Sequence, residues 1–284
     1  MIRQILVPLT GTAFDTHALA AALSLSRGFG AQLECLHVRP DPAAAAVGLA
    51  GGDMGGGYAI AELMEVIEQQ AIAGEAKARA DFDAFRTGPG LGQAAELSVR
   101  TGDEALSLVE HGRAADLVVI GRQRGEGAVD MGLLQTVLVG VGRPVMLAAA
   151  VVPATRGAIV AVAWKDSAAA ARGIAGALPF IEAAAEVLVM CVEEQGTEAD
   201  GPAEDDSLDR VVRALRRHNP NVAARSIEHG GAEPVEALLG AVHQVGAGLL
   251  VAGGYGHGVL RETVFGGFTQ HLLRNAPLAV LMTH

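Results

Sequence analysis

The chain has 284 residues, half of them hydrophobic, and a formal net charge of -11, a size that suits two domains, each with its own core. With 21 Lys and Arg against 32 Asp and Glu, it lacks the clustered basic residues that nucleic-acid phosphates or anionic lipids require, so neither partner is expected. No apolar run reaches transmembrane length, and Met1-Ile2-Arg3-Gln4-Ile5 leads straight into a strand pattern, so a cytoplasmic protein without a membrane partner is expected.

Ile5-Leu6-Val7-Pro8-Leu9 reads as a short buried strand, and Thr10-Gly11-Thr12 as the turn into a helix over Phe14 to Arg27, stopped by Gly28 or Gly30. Gln32 to Val38 is a second strand, which completes a βαβ unit with a right-handed crossover. His37 within it is expected to be a satisfied core or strand-end residue. Arg39 to Gly57, rich in Pro, Ala and Gly without a sustained period, is expected to be an unstructured linker or lid. Tyr58 to Phe85 is a long helix. Ala94 to Arg100 is a strand, Asp103 to Arg113 a helix, Asp116 to Ile120 a strand ending at Gly121, Leu133 to Gly140 a helix, and Pro144 to Leu147 a fifth strand.

The pattern then begins again. Ala158 to Ala163, Ser167 to Ile181 and Val187 to Val192 repeat the first strand, helix and strand. An acidic loop over Glu193 to Asp206 leads to a helix over Leu208 to His218, then a strand over Val222 to Glu228. Glu233 to Val245, Leu249 to Ala252, Arg261 to Asn275 and Leu278 to Met282 complete the copy. The clearest match sets Ala115 to Gly121 beside Ala247 to Gly253. The reading is therefore α/β: two tandem doubly wound, mainly parallel five-stranded sheets, over 1-150 and 155-284. Cys35 and Cys191 fall in strands, as small hydrophobes rather than a disulfide or metal pair.

Leu249-Leu250-Val251-Ala252 runs into Gly253-Gly254-Tyr255-Gly256-His257-Gly258, and a second pair, Gly266-Gly267, opens the following helix at Phe268. Glycine N–H groups after a parallel strand, with helix-terminal N–H groups after Gly267, can form an anion seat at the strand's carboxyl end. His257 could add a donor there; a solvated loop histidine is the other reading. Lys165 and Asp166 follow a strand and lie near the mouth of the same cleft, or in an ordinary solvated turn. No Walker A pattern, dinucleotide fingerprint, G-x-S-x-G or H-E-x-x-H occurs.

The spacing Gly253-x-x-Gly256 and then nine residues to Gly266-Gly267 resembles the nucleotide-binding signature of the universal stress protein family, in its tandem two-domain branch. The strongest block is Gly253 through His284, with Ala163-Trp164-Lys165-Asp166-Ser167, and with Ile5 to Pro8 and Leu36-His37-Val38 in the first half. The resemblance implies an adenine nucleotide, ATP with Mg, in the second half. Adenine would lie near Ala163, Trp164 and Val192, and phosphates at Gly253, Gly256, Gly266 and Gly267, with His257 and Phe268 beside them. Lys165 stands at the family's acidic ribose position and Gly267 at its serine or threonine. In the first half Thr10, Arg124 and Met131-Gly132 replace the motif residues, so that half is expected to be degenerate and mainly structural. The family's pairing of halves through their last strands would fall near Val145 and Val280, and whole chains can pair again as homodimers. A stress-response protein that binds ATP as a regulatory ligand is the leading reading, with slow hydrolysis at most. A nucleotide-free interaction scaffold is the alternative, and a flavin or other electron-transfer domain a third.

Overall fold

The computed structural model describes residues 1–50, 57–87, 95–122, 130–150, 157–193, 203–254 and 267–284. In the first half β1 (Gln4–Pro8), α1 (Asp15–Phe29), β2 (Gln32–Arg39), α2 (Pro42–Ala50), α3 (Gly57–Arg86) and β3 (Ala95–Thr101) come first. They are followed by α4 (Glu104–Ala114), β4 (Leu117–Gly121), α5 (Met131–Gly140) and β5 (Val145–Ala148). The second half runs β6 (Ile159–Ala163), α6 (Ala168–Ala183), β7 (Glu186–Val192), α7 (Ala203–Leu215) and β8 (Val222–Ile227). It ends with α8 (Pro234–Gln244), β9 (Leu249–Gly253), α9 (Gly267–Asn275) and β10 (Ala279–Thr283).

The strands form one ten-stranded sheet in the order β3-β2-β1-β4-β5-β10-β9-β6-β7-β8. Within each half every pairing is parallel, and the halves meet antiparallel through β5 and β10, with Val280 opposite Leu147 and Met282 opposite Val145. The two expected five-stranded sheets are thus one continuous sheet, joined where the resemblance placed the pairing of halves. Because the junction is antiparallel, the strands of the two halves point in opposite directions. Their carboxyl ends lie on opposite rims of the sheet.

Alternate strand residues feed two core layers, as a sheet covered on both faces requires. Ile5, Val7, Val160, Val162, Leu249 and Val251 pack under α1, α3, α6 and α7, whereas Leu6, Ala161, Leu250 and Ala252 pack under α4, α5, α8 and α9. The helices start and stop where local chemistry says they should. Gly30 ends α1 in the left-handed conformation at φ 69°, Asp103 caps α4 through Leu106 N at 2.8 Å, and Ser167 caps α6 through Ala170 N at 3.2 Å. His37 is buried at the strand end, where its Nδ1 donates to Leu9 O at 2.7 Å; its Nε2 is buried without a hydrogen-bond partner among the described residues, so the satisfied role expected of it is met at one ring nitrogen only.

Two stretches depart from the sequence reading. Pro42–Ala50 is helix, not unstructured linker: Asp41 accepts from Ala43 N at 2.9 Å and Ala44 N at 3.3 Å, with proline in the first helical position. A short run dominated by alanine carries no sustained apolar period, so its helix is not marked by periodicity. Helix α7 begins at Ala203 rather than Leu208, because the acidic residues Glu204, Asp205 and Asp206 suit the positive end of a helix. Residues 51–56, and 194–202 of the acidic loop, lie outside the described residues.

Candidate functional site

In each half the strand order reverses beside the first strand, between β1 and β4 and between β6 and β9. That switch point, at the carboxyl ends, is where open α/β sheets leave a crevice. In the second half it gathers four of the candidate residues. Ala163 ends β6 beside Met190 of β7, Val192 ends β7, and Gly253 ends β9. Trp164 prolongs β6, its N–H donating to Met190 O at 2.8 Å. Its half-buried indole packs into the α1/α3/α6/α7 layer and donates from Nε1 to Ser207 Oγ of α7 at 3.4 Å. Lys165 is exposed on the following turn, and Asp166 beside it meets Arg210 of α7 at 3.4 Å. Helix α7 therefore walls one side of the cleft through side chains.

Gly267 and Phe268 open α9, and a Cβ added at Gly267 would meet none of the described residues within 4 Å. Gly256, His257 and Gly266 lie outside the described residues, as does Arg124 of the first half. Two shallow grooves, of about 360 and 400 Å³, flank the edge strand β8 and include none of the candidate residues.

Gly253 has a packing reason for being glycine. A Cβ there would stand 2.5 Å from Ala169 C and 2.6 Å from Ala170 N, in the first turn of α6. Its repeat partner Gly121 has the same duty, since a Cβ would reach 2.0 Å from Phe14 O at the start of α1. The clearest internal match in the sequence therefore marks the close approach of strand end and helix. It occurs in both halves and does not by itself distinguish a ligand site.

The first-half cleft is built differently. Buried Asp15 accepts Thr10 N and Thr10 Oγ1, both at 2.9 Å, and Gly11 N at 2.8 Å, and burial still pushes its carboxyl up. The turn it holds presses on α3: a Cβ on Gly11 would lie 2.5 Å from Gly74 O. Arg39 at the end of β2 pairs with Glu68 at 2.6 Å and Glu75 at 3.5 Å, fixing α3 over the strand ends. Asp130 caps α5, accepting Gly132 N at 2.9 Å and Leu133 N at 3.0 Å. Glu104, at the start of α4, has its carboxyl pushed up to about 7 by burial, reinforced by Asp130, Asp15 and Asp103.

One residue of consequence escaped the sequence reading. Arg122, just after β4, is fully buried, and its Nη2 donates to Ala276 O and Leu278 O, both at 2.7 Å, in the turn between α9 and β10. Its own carbonyl accepts from His17 Nδ1 at 2.9 Å. A guanidinium on carbonyls at a helix C-terminus also meets the negative end of the helix dipole. Gly254 is its counterpart: Arg122 N donates to Ala148 O and Gly254 N to Thr283 O, each closing the last strand of its half. The two positions related by the duplication thus hold the largest fully buried side chain among the described residues and none at all.

The fold and its switch-point clefts define a duplicated, doubly wound α/β protein of the kind that carries ligands at strand carboxyl ends. The chain belongs to the universal stress protein family, whose family model matches residues 1–148. That match covers the half with the more altered motif, although the resemblance in sequence was strongest from Gly253 onward. Among solved structures, a universal stress protein from Archaeoglobus fulgidus DSM 4304 is similar along its whole length. The TM-score is 0.69 at 16% identity, covering 99% of this chain and 97% of that one. A protein of unknown function from Pseudomonas aeruginosa PAO1 has a TM-score of 0.54 at 16% identity, covering 99% and 92%. At that identity both speak to the fold. No curated protein matches the chain. No helix among the described residues is long and apolar enough to cross a membrane.

Proposed function

We propose that the chain is a cytoplasmic stress-response protein whose C-terminal half binds an adenine nucleotide, ATP with Mg, as a regulatory ligand rather than a substrate. Adenine rests near Ala163, Trp164 and Val192, and the phosphates face Gly253, Gly256, His257, Gly266 and the amides after Gly267. The observation that carries this reading is that α9 opens at Gly267, directly after the glycine motif, where an added Cβ would meet none of the described residues within 4 Å. The free amides of a helix N-terminus suit an anion. Among the described residues no group of three His, Cys, Asp or Glu could hold a metal ion, so magnesium would arrive with the nucleotide. Exposed Lys165, where the family has an acid, would lie near the ribose and costs one hydrogen bond, about 0.5–1.5 kcal/mol. Whole chains can further pair as homodimers.

The scaffold reading draws support from Gly253, whose packing duty would be needed without any ligand. Titration separates the two. The chain has a single tryptophan, at the cleft, so Mg-ATP binding would change Trp164 fluorescence and raise the melting temperature, and Gly256→Arg would abolish both. No response at millimolar nucleotide would leave the scaffold.

A further inference from the structure

We propose that the N-terminal half is closed to nucleotides by its own groups, with Asp130 acting as a built-in anion on the amides that open α5. Helix α5 follows the fourth strand of its half just as α9 follows β9, so its first amides are the counterparts of those proposed to face phosphate. In the first half they are already taken. One oxygen of Asp130 accepts Gly132 N at 2.9 Å and Leu133 N at 3.0 Å. With Met131-Gly132 matching Gly266-Gly267, the residue matching Asp130 is Phe265, whose side chain has no acceptor atom.

The surroundings act in the same direction. Asp130, Asp15 and Asp103 each lie close enough to Glu104, at the start of α4, for their charges to be felt there, so an arriving phosphate would meet a negative field. The turn that follows β1 is braced from within the chain as well. The Thr10-Gly11 turn, held by three hydrogen bonds to Asp15, stands backbone against backbone on Gly74 of α3. In the second half the matching turn reaches α7 through the side chains of Trp164 and Asp166. The consequence, one nucleotide per chain, rests on the nucleotide reading of the C-terminal cleft; the closure of the N-terminal one does not.

The test uses the full chain and two probes. Glycine is tolerated at a helix N-cap, and serine keeps a neutral acceptor there. If Asp130 fills an anion seat, inorganic phosphate will raise the melting temperature of Asp130→Gly by a few degrees more than chloride at matched ionic strength. The wild type and Asp130→Ser will show only a smaller phosphate-over-chloride difference, the part owed to the C-terminal seat and to phosphate as a stabilising salt. Equal responses in all three proteins would overturn the proposal. Calorimetry with Mg-ATP should give one equivalent per wild-type chain, and two would overturn it. Should ATP fail to bind at all, the nucleotide reading falls, and the phosphate comparison still decides whether Asp130 occupies the seat.

Discussion

Arg122 offers the most direct test of how the halves are held together. Arg122→Met keeps most of the side-chain volume and removes the donors to Ala276 O and Leu278 O, in residues buried to 0% and 4% exposure. Each abandoned buried carbonyl costs about 1–3 kcal/mol. Relief from burying the guanidinium offsets part of this, leaving a net loss of about 2–4 kcal/mol. Lysine at 122, which keeps the charge without the planar fork, should fall between. In urea, circular dichroism follows both halves while Trp164 fluorescence follows only the second, so the two curves should coincide in the wild type. In Arg122→Met they should separate, because a clamp from the first half on the α9–β10 turn is gone. A loss below about 1 kcal/mol, with the two curves still superimposed, would refute the clamp.

Four further outcomes follow from the same structure. Gly253→Ala drives a Cβ to 2.5 Å from the α6 backbone and should cost about 2–4 kcal/mol in urea unfolding. Gly267→Ser meets open space and should bind ATP about 3- to 10-fold more tightly by adding a hydroxyl contact. At the Gly11–Gly74 contact the two partners should differ in sign. Gly11→Ala, at φ 74° and 2.5 Å from Gly74 O, should lose more than about 2 kcal/mol, whereas Gly74→Ala, whose Cβ clears His37 and Thr10 by 3.9 Å, should gain up to about 1 kcal/mol from helix propensity. Glu104 governs a pH dependence. Its carboxyl titrates at about 7 when folded, so the native state holds an extra proton from the ordinary carboxylate range up to that value, and stability falls as pH rises through this window. Glu104→Gln should flatten the slope and gain about 1–2 kcal/mol near pH 8, after allowance for solvent screening of a half-buried group; an unchanged slope of melting temperature against pH would contradict this.

Hydrophobic runs and glycine punctuation made most of the strands and helices legible, and the repeat of Ala115–Gly121 at Ala247–Gly253 disclosed the duplication. What periodicity could not convey was what a residue touches far along the chain. Arg122 sits beside an apolar strand with nothing local to mark it, and its partners are 154 and 156 residues away. The motif spacing singles out Arg124 instead, which lies outside the described residues. Gly253 was visible as a glycine that mattered, but sequence could not say whether its missing Cβ admits a ligand or the first turn of α6. The Asp41-Pro42 cap of α2 was written in the chain, and an apolar-period criterion overlooked it. Asp130 was equally visible, yet its meaning depended on knowing which amides it covers.

Joining the halves covalently permits something that a pair of identical subunits could not do. In a symmetric dimer every change appears twice, so a residue favourable on one side of the axis must also be accommodated on the other. Here one polypeptide supplies both members, and Arg122 can fill a space on one side while Gly254 keeps the backbone close on the other. The two copies are free to diverge at such positions while sharing a single seam of strands.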